Sequence, residues 1–167
     1  MRSALAVAGA VVVLSSLGAA GPDAGTKGAA MKGAASVHAE GSFDVKITPQ
    51  PDDAGTGVGR MSLQKTWHGQ VEATSHGEML TAMGADTSSG AYVAVERVTG
   101  KVGCRKGSFS LVHRGVMVGG RQELSITVVP GSGTEDLQGL EGVVTIRIEP
   151  DGKHFYVLSG TLPGPPP

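Results

Sequence analysis

Apolar and polar residues alternate in short stretches through most of the chain, and this period of two is typical of β-strands with two different faces. Glycine, proline and aspartate residues, which favour turns, separate these stretches. No window shows a long apolar stripe with the period of a helix. The pattern predicts an all-β protein with strands at Val37–Thr48, Arg60–Trp67, Val71–Met83, Ala91–Lys101, Gly107–Val116, Gln122–Val129, Val143–Glu149 and Lys153–Leu162.

The connections between the predicted strands are mostly short. "EPDGK" and "MVGGRQ" indicate tight hairpins, because Asp-Gly and Gly-Gly can take the positive φ that such turns need. Only "TEDLQGL" is predicted to form a short helical turn, with Thr134 as its cap. Consecutive strands with short connections can alternate up and down and close into a barrel, which leaves no exposed edge. We therefore predict a single antiparallel up-and-down β-barrel of about eight strands over residues 37–163, in preference to a β-sandwich.

The two ends of the chain differ from this pattern. Arg2 precedes the apolar run "SALAVAGAVVVLSSL", which is too short to span a bilayer, and small residues follow it up to Ala20. We predict a signal peptide over residues 1–20 and export to the periplasm or medium, with no stable membrane anchor after cleavage. Residues 21–36 are rich in Gly and Ala and are predicted to form a flexible tether, and residues 164–167 a Pro-rich tail.

Composition and charge limit the classes of function that the chain could have. The 167 residues suffice for one domain with a hydrophobic core. With 14 Lys and Arg against 15 Asp and Glu, and no basic stripe, the chain has no charge pattern for holding phosphate backbones, so we expect no nucleic-acid partner. Cys104 is the single cysteine, which excludes an internal disulfide, and its place between glycines predicts a turn residue.

Several ordered motifs resemble a bacterial family of unknown function that is similar in fold to the allene oxide cyclase barrels. They are "GSFDVKITPQ", "GRMSLQKTWHG", "TSHGEMLTA", "GAYVAVERVTG", "GSFSLVHRG", "LSITVVPGSGTEDLQGLEG" and "IRIEPDGKHFYVLSGTLP". In the motif "GTEDLQGLEG", Glu135 stands where the resemblance makes a Gly commoner. The resemblance implies a small antiparallel barrel with an apolar lumen and association into a homo-oligomer through its outer faces. It implies no particular reaction.

Strand alternation sorts the polar residues by face, since side chains two positions apart share one. On the fifth predicted strand, the face predicted to line the lumen carries Phe109, Leu111 and His113. On the fourth, Tyr92 and Glu96 share a face opposite Arg97, but both faces are partly apolar, so the pattern leaves their direction open. On the third, Glu78 lies opposite a more apolar set. On the last, Tyr156 shares a face with His154 and Leu158.

The polar residues at these positions could have either of two roles inside the barrel. Glu78, Glu96, His113 and Tyr156 could form an acid–base group in the lumen, pairing a buried carboxylate with an imidazole. Alternatively, Glu96 pairs with a nearby Arg or Lys, and His113 is an interior histidine whose hydrogen bonds are satisfied. The five histidines show no zinc-binding spacing, so we predict no metal and no cofactor.

Three classes of function fit the sequence. The preferred one is a binder of a small apolar molecule enclosed in the lumen, with ligand contacts from Tyr92, Glu96, Phe109, Leu111, His113 and Tyr156. The second is a cyclase- or isomerase-like enzyme that uses Glu78, Glu96 or His113. The third is a structural barrel whose lumen is filled by its own side chains and which acts through protein contacts.

Overall fold

The computed structural model describes residues 33–51, 55–85 and 88–164. The predicted signal peptide, the predicted tether up to residue 32 and the last three residues of the predicted tail lie outside the described residues. No helix in the described part of the chain has the length and apolar character needed to cross a membrane.

Eight strands form one closed antiparallel barrel in sequence order, and β8 pairs with β1 to complete it. This confirms the predicted barrel over the sandwich. β1 begins inside the segment predicted as tether, because Ala35 already pairs with Leu162. The strands are β1 (Ala35–Gln50), β2 (Gly59–Gly69), β3 (Val71–Met83), β4 (Gly90–Val102), β5 (Arg105–Val118), β6 (Arg121–Val128), β7 (Glu141–Ile148) and β8 (His154–Leu162).

The short connections follow the predicted turn chemistry. Gly119 and Gly120, with φ of 56° and 82°, join β5 to β6, and Gly152, with φ of 85°, turns β7 into β8. The β6–β7 connection is longer and contains a single 3₁₀ turn, η1, at Glu135–Leu137. Glu135 has a φ of 52°, a left-handed conformation that glycine adopts without strain, which accounts for the Gly expected there from the resemblance.

Thr134 is the N-cap residue of η1, as predicted, but its side chain makes no capping hydrogen bond to the turn. Its hydroxyl instead accepts a hydrogen bond from the backbone N–H of Ser108 on β5, at 3.0 Å. Arg97 on the outer face of β4 binds the same loop, donating to the carbonyl of Ser132 at 2.9 Å and to the hydroxyl of Ser108 at 2.5 Å. The β6–β7 loop is thereby fixed to the barrel wall.

The two ends of the barrel differ. The mouth end carries the β1–β2, β3–β4, β5–β6 and β7–β8 loops, and the closed end carries the other loops. Leu137 and Leu140 of the β6–β7 loop are buried at the closed end. There they join an apolar core of Val71, Val98, Val102, Phe109, Leu111, Ile126, Val128, Val144, Leu158 and Leu162. The closed end of the lumen is therefore filled by the protein's own side chains.

Tyr156 links β8 to the β2–β3 turn across the interior. Its hydroxyl accepts a hydrogen bond from the backbone N–H of Val71, at 2.8 Å, and donates to the carbonyl of His68, at 3.2 Å. A glycine at position 41 makes room for this, because a Cβ there would lie 2.8 Å from the hydroxyl.

We expect Tyr156→Phe to lower the free energy of unfolding by about 1–3 kcal/mol, because the buried N–H of Val71 loses its acceptor. Urea unfolding measures the change. Tyr92→Phe is the matched control: within the described residues the Tyr92 hydroxyl makes no hydrogen bond, so its loss should cost less than about 0.5 kcal/mol. Equal losses in the two variants would contradict the role given to the Tyr156 hydroxyl.

Candidate functional site

The mouth half of the lumen is an open cup with a volume of about 540 Å³, and all eight strands contribute to its lining. Its walls are mainly apolar, with Val45, Leu63, Met79 and Ile146 among them. Ile148 lines the cup yet is exposed, which places it at the opening. Pockets that enclose small molecules span roughly 300–1,000 Å³, so the cup has the size of a ligand site.

Three ionisable side chains meet at the floor of the cup: Lys65 from β2, Glu96 from β4 and His113 from β5. The Lys65 Nζ lies 3.0 Å from each Glu96 carboxylate oxygen and donates a hydrogen bond to Oε1. The His113 Nε2 lies 3.6 Å from Oε1, just beyond hydrogen-bond distance. The side chains of Lys65 and His113 are each 6% exposed and that of Glu96 is 0% exposed, so the carboxylate lies behind the other two.

Burial and charge act in opposite directions on these groups. Burial alone would raise the pKa of Glu96, but its contacts with His113 and with the Lys65 ammonium outweigh burial and hold the pKa below 4.5. Burial also lowers the pKa of Lys65, although Glu96 opposes this shift. At neutral pH, Glu96 is therefore a carboxylate. Among the described residues, its Oε2 and the Nε2 of His113 are buried without a hydrogen-bond partner.

Alternation left open which face of β4 points into the lumen. In the barrel, Glu96 points inward and Arg97 points outward. His113 lies in the lumen as predicted and lines the cup, as does Tyr92. The Tyr92 ring covers Gly115, where a Cβ would lie 2.1 Å from its Cε1 atom, and burial raises the Tyr92 pKa.

Four predicted site residues take other positions. Phe109, Leu111 and Tyr156 are inside the barrel but in its filled half, so none of them lines the cup. Glu78 lies on the outer face, with its side chain 56% exposed and paired with Arg60 at 3.1 Å. Its expected place in the lumen is wrong, because the more apolar set on β3, which includes Val71, faces inward.

Lys65 was missed by the sequence reasoning, although a signal existed. In "SLQKTW", Lys65 alternates with Leu63 and Trp67, so the three share a face, and the two apolar neighbours mark that face as internal. In the barrel all three are buried, and Lys65 Nζ lies 4.9 Å from the centre of the Phe43 ring and 5.1 Å from that of Trp67. The faces of these two aromatic rings thus contact the Lys65 ammonium on the sides that Glu96 does not occupy.

Other parts of the described structure offer weaker sites. A concavity of about 620 Å³ runs over β1, β2, β7 and β8, but outward side chains such as Glu40 and Arg147 line it, and it contains no buried ion pair. In the described part of the chain, no group of three His, Cys, Asp or Glu residues could hold a metal ion. Cys104 is an exposed residue in the β4–β5 turn, as predicted. The cup is therefore the candidate site.

Comparisons with known proteins agree with the fold. A family model described as a protein of unknown function (DUF3224) matches residues 39–159. A crystal structure of a DUF3224 protein of unknown function from Shewanella oneidensis MR-1 is 45% identical and superposes with a TM-score of 0.70, covering 80% of this chain and 100% of that one. No protein of curated function matches the chain in sequence. The predicted resemblance to a bacterial family of unknown function is confirmed.

Proposed function

Because the chain belongs to the DUF3224 family of proteins of unknown function, its role has to be inferred from the barrel, and we propose that the cup binds a small apolar molecule. The observation that carries this proposal is an open cup of about 540 Å³ with apolar walls and a floor of ionisable groups. The walls would enclose the body of the ligand, and Lys65 and His113 would contact its polar end. We propose further that the mature chain does this after export.

Apolar enclosure gives a limited free energy of binding. Burying about 200 Å² of apolar ligand surface contributes about 5 kcal/mol at roughly 25 cal/mol per Å². Loss of translational and rotational freedom opposes binding by a comparable amount. A ligand that makes apolar contacts only is therefore held weakly, and the floor must contribute to affinity.

Phenylnaphthylamine, a neutral apolar fluorophore, tests the enclosure without involving charge. We expect its emission to rise on binding, and we expect Met79→Trp to weaken its affinity at least about ten-fold, because the larger side chain occupies the cup. Leu80→Trp is the matched control, since the adjacent side chain is exposed on the outer face and should leave affinity unchanged. Equal affinities in both variants, or no binding by the unmodified protein, would contradict the proposal.

Acid–base catalysis is the second candidate, and the contact between Glu96 and His113 favours it. Because Glu96 is fully buried, His113 rather than the carboxylate would exchange a proton with a bound molecule, and the carboxylate would orient the imidazole. A molecule extracted from the purified protein and incubated with it again separates the two functions. Mass spectrometry and chromatography would return it unchanged from a binder and chemically altered from an enzyme.

A further inference from the structure

We infer that the polar end of the ligand is an anion of the carboxylate class, held at the floor of the cup by Lys65 and His113. The inference rests on the proposed binding function and names its ligand class. Three observations support it: the charges that line the cup, the unused donors of Lys65 and the position of His113.

The ionisable groups that line the cup are mostly basic. They are Lys65, His113, His154 and the phenol of Tyr92. No Asp or Glu is among the described lining residues, because Glu96 lies behind the floor with a fully buried side chain. Inside the cup, a ligand therefore meets cationic or proton-accepting nitrogen groups and no carboxylate of a described lining residue, and this favours an anion over a cation.

The Lys65 ammonium carries three N–H donors, and within the described residues its hydrogen-bond partner is the single carboxylate of Glu96. Aromatic rings of Phe43 and Trp67 flank the same nitrogen. A carboxylate in the cup would give the ammonium a second charged acceptor. Charge-assisted hydrogen bonds of this kind are about twice as strong as neutral ones.

His113 completes the charge balance. Lys65 and Glu96 cancel each other, so a bound anion leaves the floor with one unbalanced negative charge unless His113 takes up a proton. The groups that face His113 are Lys65 on β2, Glu96 and Tyr92 on β4 and His154 on β8. Protonated His113 would lie between the Glu96 carboxylate and the ligand. Its imidazole would then donate to the ligand carboxylate beside the Lys65 ammonium.

Three compounds of matched shape test the inference on the unmodified protein: naphthylacetate, naphthylethanol and naphthylethylamine. We expect calorimetry to show naphthylacetate binding at least about ten-fold more tightly than the alcohol or the amine. An alcohol or amine that binds as tightly as the acid overturns the inference, and so does a protein that binds phenylnaphthylamine but none of the three. If phenylnaphthylamine also fails to bind, the proposed function itself is overturned.

The role of His113 is tested by its replacement. We expect His113→Gln to reduce the preference for naphthylacetate over naphthylethanol. Arg114→Gln is the matched control, because the adjacent side chain is exposed on the outer face of β5 and should leave the preference unchanged. Circular dichroism checks that each variant is folded. A folded His113→Gln variant that keeps the full preference overturns the assignment of His113.

Discussion

Glu96→Gln is expected to lower the free energy of unfolding by about 3–5 kcal/mol, because it leaves the buried Lys65 ammonium without its counter-charge. The Lys65 and Glu96 side chains are 6% and 0% exposed, so little water is available to replace the lost partner. Urea unfolding at neutral pH, followed by circular dichroism, measures the change.

Glu78→Gln is the matched control for this prediction. Glu78 and Arg60 form an ion pair of similar length, 3.1 Å, but both side chains are exposed, so the loss should stay below about 1 kcal/mol. The double replacement of Lys65 by Met and Glu96 by Gln should recover most of the stability, because no buried charge is then left unpaired. A Glu96→Gln cost equal to that of Glu78→Gln would contradict the buried ion pair.

The same pair gives stability a defined pH dependence. The pKa of Glu96 in the folded protein lies below its ordinary value of 4.5, so the unfolded chain binds the proton more tightly. The stabilisation is complete above pH 4.5 and is lost as pH falls through the lower pKa of the folded state. Unfolding curves of the unmodified protein and Glu96→Gln should therefore converge in acid. Curves that stay equally far apart would contradict the lowered pKa.

The fold could be predicted from the sequence because its signals are local. Alternation marks the strands, and hairpin turns at Gly119 and Gly152 keep successive strands adjacent, which leaves a barrel as the arrangement without edges. The face of β4 could not be predicted in this way. Val93 and Val95 are exposed on the outer surface, so apolar residues occupy both faces, and only the partner strands show that Glu96 meets Lys65 inside.

The candidate site was only partly predictable, because it depends on which half of the lumen is filled. Leu137 and Leu140 come from the longest loop and complete the core at the closed end, far in sequence from the strands they cover. Nothing local in the sequence indicates this, so Phe109 was expected beside a ligand although it belongs to the core. His113, four residues further along the same strand and on the same face, reaches the cup.

Trp67→Ala is expected to lower the free energy of unfolding by about 3–5 kcal/mol, since it removes a buried aromatic side chain and leaves a void. Trp67 lies one inward position deeper than Lys65 on β2, between the floor of the cup and the closed end. Its ring centre is 5.2 Å from that of Phe43 and 4.9 Å from that of Tyr156. Its indole N–H donates to the hydroxyl of buried Ser75, at 3.0 Å.

Trp67→Phe separates packing from hydrogen bonding at this position. Phenylalanine keeps an aromatic ring against Phe43 and Tyr156 but cannot donate to Ser75, so its cost should be clearly smaller than that of alanine. Trp67 is the single tryptophan of the chain, so unfolding has to be followed by circular dichroism. If alanine costs less than about 1 kcal/mol, the layer beneath Lys65 is not packed, and the cup would lack a rigid floor on which to orient a ligand.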